Sequence, residues 1–132
     1  MKKKHVDVDL TFTITGNKLL AHLVFSNNTP KKLWVNKFFI CYMNRIRRNL
    51  FKIVDDRNGI VKYRGPVDLY VSERNYLPLY PGETIESSIV LNEVYEMKRG
   101  VKYTIQYWAI HPVNYHSWQI NRVASVPIEV IY

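Results

Sequence analysis

Val6-Asp7-Val8-Asp9-Leu10-Thr11-Phe12-Thr13-Ile14-Thr15-Gly16-Asn17-Lys18-Leu19-Leu20-Ala21-His22-Leu23-Val24-Phe25 decides the fold. From Val6 to Thr15 apolar and polar residues alternate, which is the pattern of a strand with one buried and one wet face. Gly16-Asn17 is a hairpin turn by composition. Leu19, Ala21, Leu23 and Phe25 then place the apolar side chains of the return strand on one face.

The same period continues outward from that hairpin. Ser26-Asn27-Asn28-Thr29-Pro30 reads as a loop, and Leu33–Tyr42 as a strand buried on both faces. Met43–Asn49 is basic and polar, with room for one helical turn. Phe51–Val54 is a short strand, closed by Asp55-Asp56-Arg57-Asn58-Gly59, where Asn-Gly supplies a positive φ. Ile60–Tyr63 and Val67–Val71 are extended, and Ser72–Gly82, with Pro78 and Pro81, is irregular. Ile85, Ser87, Ile89 and Leu91 mark another strand, and a helical turn is expected over Glu93–Lys98. Val101, Tyr103, Ile105, Tyr107 and Ala109 form the next, followed by a loop at His111–Asn121 and a closing strand at Val126–Tyr132. Seven to nine short strands with antiparallel-compatible connections predict an all-β, single antiparallel immunoglobulin-like β-sandwich over 1–132, with a basic tail at 1–4. A closed barrel is the rival architecture.

The order of features in the second half resembles known immunoglobulin-like sandwiches. Phe51–Asp56 with Asn58-Gly59, Val61–Gly65, Leu79-Tyr80-Pro81-Gly82-Glu83 and Gly100-Val101-Lys102-Tyr103-Thr104-Ile105 carry the likeness. The layout is similar to the non-catalytic N-terminal domain of deuterolysin-type metallopeptidases and to the intracellular proteinase inhibitors of bacilli. That resemblance implies a fold, not an activity. Read physically, Pro81-Gly82 presets a turn, and Tyr103 is placed like a tyrosine corner whose hydroxyl bonds the preceding connection.

Composition bounds the function. The 132 residues are 47% hydrophobic and 23% charged, which excludes a disordered chain. No apolar run reaches the roughly 18 residues of a membrane helix. His5–Asp9 follows the N-terminal lysines where a secretory segment would be apolar, and Cys41 is the sole cysteine, so a cytoplasmic location is expected. A secreted or periplasmic location would require a leader removed upstream. Neither Gly-x-x-x-x-Gly-Lys nor His-Glu-x-x-His occurs. His111 and His116 share the expected loop without a cysteine or carboxylate between them, so no metal and no cofactor is expected. Cys41 follows Phe38-Phe39-Ile40 and reads as a buried apolar residue. No catalytic constellation is expected.

What remains is surface. The net charge is +8, and residues 31–64 alone hold ten bases against two acids. A localised basic surface favours acidic partners, a protein first and nucleic acid as the alternative. If every strand runs antiparallel to the one before it, connections alternate between two ends. Gly16-Asn17, Met43–Asn49, Ser72–Gly82 and His111–Asn121 then share one end. That sorting brings Arg45, Arg47 and Arg48 beside Tyr115, His116 and Trp118, residue types over-represented at interface hot spots. The expected function is a non-enzymatic protein-binding module of inhibitor or immunity type. A nucleic-acid or polyanion binder and an accessory domain of a secreted or assembled system are the alternatives.

Overall fold

A computed structural model describes residues 5–68 and 72–132. The basic tail at 1–4, and Leu69–Val71 of the extended piece expected at Val67–Val71, lie outside them. The chain is an all-β antiparallel sandwich. Its strands in the described residues are β1 (Asp7–Thr15), β2 (Lys18–Ser26), β3 (Leu33–Asn36), β4 (Phe51–Asp55), β5 (Tyr76–Leu79), β6 (Thr84–Val90), β7 (Lys102–Pro112), β8 (Ile120–Ala124) and β9 (Ile128–Ile131). A single α-helical turn among the described residues, α1 (Leu91–Val94), follows β6, and 3-10 turns lie at Tyr42–Asn44 and Glu73–Asn75.

One layer has the order β1-β2-β6, and β3 and β5 form a two-stranded ribbon. The other layer is built on β7. β4 covers one edge of β7, while β8 and β9 cover successive halves of the opposite edge. Among the described residues these pairings leave the sheets open, so no barrel closes. The inward faces meet through aromatic rings. Phe25 of β2 packs edge-on against Tyr107 of β7 at 5.3 Å, and Phe51 of β4 does so at 5.7 Å.

The opening hairpin forms with the expected register, Thr15 opposite Lys18. Gly16 carries the turn at φ 60°, a conformation costly for any residue with a Cβ. The buried face of β1 runs through Val8 and Leu10 but fades toward the tip, where Ile14 is 48% exposed. Pro81 and Gly82 (φ 83°) form the expected turn, closed by the Glu83 amide donating to the Tyr80 carbonyl. Asn58, rather than Gly59, takes the positive φ in the β4 turn. The Tyr103 hydroxyl accepts from the Lys98 amide at 2.7 Å, which is the predicted corner.

Several boundaries move. The strand expected over Leu33–Tyr42 ends at Asn36, because the Asn36 side chain accepts the Phe38 amide at 2.9 Å and turns the chain. Ser72–Gly82 holds β5 despite Pro78, which the ribbon tolerates because β5 has one partner strand. The helical turn forms at Leu91–Val94, anchored by fully buried Leu91, rather than over Glu93–Lys98. β7 runs on through His111, so that residue is core and not loop.

The sorting of connections is also corrected. β6 runs alongside β2 with Ser26 opposite Thr84 and Leu20 opposite Val90. Asn92 consequently meets the first hairpin, its Nδ2 donating to the Asn17 carbonyl at 2.7 Å. Asp55 pairs with Tyr103 near the start of β7. Gly16-Asn17 therefore shares its end with Asp55–Gly59 and Asn92–Gly100. Residues 113–119 lie at the other end, with Ser26–Lys31 and Tyr80–Glu83. The alternation fails once, within 37–50, where the chain reverses without crossing the sandwich.

Candidate functional site

Two concavities adjoin the β3–β5 ribbon. The first, about 130 Å³, is lined by Lys37, Phe38, Tyr42, Met43, Arg45 and Arg47. Its wall is an unusual backbone: Cys41, Met43 and Asn44 stand at φ 52°, 56° and 61°. Each non-glycine residue in that region costs about 1–2 kcal/mol, and such strain persists only where the surroundings impose it. Here Ile40 and Cys41 are buried completely, and Asn44 Oδ1 accepts the Ser88 amide of β6 at 2.8 Å. The result is to hold Met43 at 70% exposure.

Lys37, Arg45 and Arg47 line the same concavity as that methionine. Lys37 Nζ lies 4.9 Å from the centre of the Tyr42 ring, and the Arg48 guanidinium lies 4.9 Å over Phe39. Arg47 reaches Asp68 at 3.7 Å, a half-exposed pair of small energetic value. Arg45 is exposed and has no carboxylate within ion-pair distance among the described residues. Among the described residues no carboxylate lines this concavity.

The second concavity, about 360 Å³, is lined by Trp34, Glu73, Tyr76, Asn114, Tyr115 and His116. The rings of Tyr76 and Tyr115 stand 6.2 Å apart, and His116 Nε2 is 3.4 Å from Glu73 Oε1. Lys32 Nζ sits 4.7 Å from the Trp34 ring. At the ribbon's end the Lys37 amide donates to the Asn75 carbonyl at 2.7 Å, next to Tyr76, so one residue from each lining stands there.

The expected site residues therefore divide. Arg45 and Arg47 line the first concavity, with Arg48 stacked on Phe39; Tyr115 and His116 line the second; Trp118, 99% exposed, lines neither. Lys37, Tyr42, Met43, Trp34 and Tyr76 were missed. For Trp34, Lys37, Tyr42 and Met43 the signal was the mixture of bases and aromatics in 31–48, which a reading as a doubly buried strand concealed; Tyr76 lay in the segment 72–82 expected to be irregular.

The remaining reactive groups are placed as structure. His22 Nδ1 and Nε2 lie 2.8 Å from the Ser88 and Thr13 hydroxyls, tying together the outer faces of β1, β2 and β6. Asp55 accepts the Gly59 and Arg57 amides, which hold its carboxyl below the ordinary value. Among the described residues no group of three or more histidines, cysteines or carboxylates is arranged to hold a metal ion. No helix among them is long and apolar enough to cross a membrane. Burial pushes the Cys41 thiol up to about 12, so little thiolate exists at neutral pH. A disulfide reagent is expected to leave native Cys41 unmodified at pH 8 and to modify it promptly in denaturant. Fast labelling of the native protein would contradict its placement.

The chain matches no protein-family model and no curated protein.

Proposed function

We propose that the protein is a non-enzymatic binding module that captures an acidic protein segment at the Lys37–Arg47 concavity. The observation that carries this reading is strained backbone presenting a bare methionine amid cations, with no carboxylate in the lining. Methionine adapts to irregular apolar surfaces, and arginine is over-represented at interface hot spots. An acidic segment carrying one or two apolar side chains satisfies both features. The adjoining aromatic concavity extends the contact surface.

Affinity capture from nuclease-treated lysate tests the reading, comparing the wild type with the Lys37→Glu/Arg45→Glu double variant. One acidic protein should stay bound at about 50 and about 300 mM salt, whereas a phosphate-driven complex weakens steeply over that range. Reversing both cations should weaken capture at least about tenfold. Equal capture by both proteins refutes the site.

A further inference from the structure

The outward face of the β4-β7-β8 layer carries a second set of features that the acidic-protein reading does not use. Trp108 stands mid-strand on β7 and is 40% exposed. The Arg122 guanidinium of β8 lies 4.2 Å over its ring, and Lys52 Nζ of β4 lies 5.5 Å from it. Neither cation has a carboxylate partner among the described residues. Beside this stack lies a concavity of about 270 Å³ lined by Lys52, Asn58, Thr104 and Gln106, with Val54 and Pro127. Gln106 Nε2 donates to the Ser125 carbonyl at 2.8 Å, which leaves its Oε1 as an acceptor. Among the described residues no carboxylate lines that concavity.

An exposed ring held by cations, next to an uncharged hydrogen-bonding recess, is chemistry for a base and its phosphate. Aromatic side chains on open sheets stack unpaired bases, arginine adds a planar cation to the stack, and lysine neutralises the backbone. We infer that this face binds single-stranded nucleic acid. A base stacks on the Trp108–Arg122 pair, its neighbour enters the Asn58–Gln106 recess, and Lys52 meets the phosphate between them. The charge complementarity selects a polyanion, and the ring with its amide-lined recess selects one that carries bases.

Fluorescence anisotropy with a labelled oligothymidylate of about a dozen nucleotides, at low salt, tests the inference. Trp108→Ala should weaken binding about tenfold, the worth of one lost base stack. Trp108→Phe should retain most of the affinity, and both variants should fold because the ring is partly exposed. Lys37→Glu/Arg45→Glu should leave at least part of the binding and Trp34→Ala all of it, which separates this face from the two concavities. An abasic phosphodiester chain, or polyglutamate, should compete poorly. Equal competition by either, no binding by the wild type, or equal affinities for Trp108→Ala and wild type would overturn the assignment.

Discussion

Between about pH 6.5 and pH 3, folding stability is expected to fall by about 1.4 kcal/mol per pH unit through one side chain, His111. His111 lies in β7, 6% exposed, against the rings of Phe25, Phe39 and Tyr107. The Tyr107 hydroxyl has one proton and donates it to the Phe39 carbonyl, so it can only accept from His111 Nε2, 2.6 Å away. His111 is therefore the neutral Nε2–H tautomer. Burial, then the nearby His5, pull it from 6.5 down to about 3. Because the folded value lies below the unfolded one, the unfolded chain takes up the proton first as the pH falls. The stabilisation is complete above pH 6.5, declines steadily through that window and levels off near pH 3. His111→Gln keeps a donor for Tyr107 but does not titrate. Urea unfolding at pH 7, 5 and 4 should show a shallower decline for this variant than for the wild type, and His5→Gln should change the slope little. Parallel declines for His111→Gln and wild type would show that His111 is not buried as described.

Asn27→Ala is expected to cost about 3 kcal/mol or more. Asn27 is fully buried, and its side chain makes four hydrogen bonds. Nδ2 donates to the Lys31 and Leu79 carbonyls, each at 2.8 Å. Oδ1 accepts the Thr29 amide at 2.9 Å and its hydroxyl at 2.7 Å. Its backbone adds two more, to Glu83 and from Gly82. Each buried group left unpaired costs about 1–3 kcal/mol, so truncation strands several at once. Asn27→Asp should be at least as damaging, since a carboxylate oxygen would face two carbonyls. Asn28→Ala, which loses only an exposed bond to Asp7, should stay within about 0.5 kcal/mol. Urea midpoints distinguish these outcomes; near-native stability of Asn27→Ala would contradict the bracket. Because that bracket holds the end of β5, loss of Asn27 should also loosen Tyr76 and the aromatic concavity.

Most of the sandwich is legible in the sequence because its strands keep one face dry. Val6 to Phe25, Ile85 to Leu91 and Val101 to Ala109 carry the period, and the turns between them use residues whose φ preference is local. The 33–50 segment is not legible, because its apolar residues are buried by a turn rather than by a strand. A local asparagine bond at Asn36 outweighs the β propensity of Phe38-Phe39-Ile40, and left-handed backbone at Cys41 and Met43 has no signature in those residue types, although Asn44 beside them is a type that tolerates it. That single misreading inverted the sorting of every later connection. It placed the arginines beside the 113–119 loop, whereas the β3–β5 ribbon stands between them. Trp108 was readable: the phase that buries Tyr107 and Ala109 points it outward.

On the proposed function, the strained turn at Met43 presents a protein-binding surface. The most direct test places a photo-crosslinking side chain at position 43 of the intact chain, in nuclease-treated lysate. One acidic protein should be crosslinked, and the adduct should disappear when Lys37 and Arg45 are both reversed to glutamate. The same probe at Ile60, 84% exposed on the other side of the β4 turn, should not capture it. No protein adduct at position 43, or the same adduct from both positions, would contradict the claim.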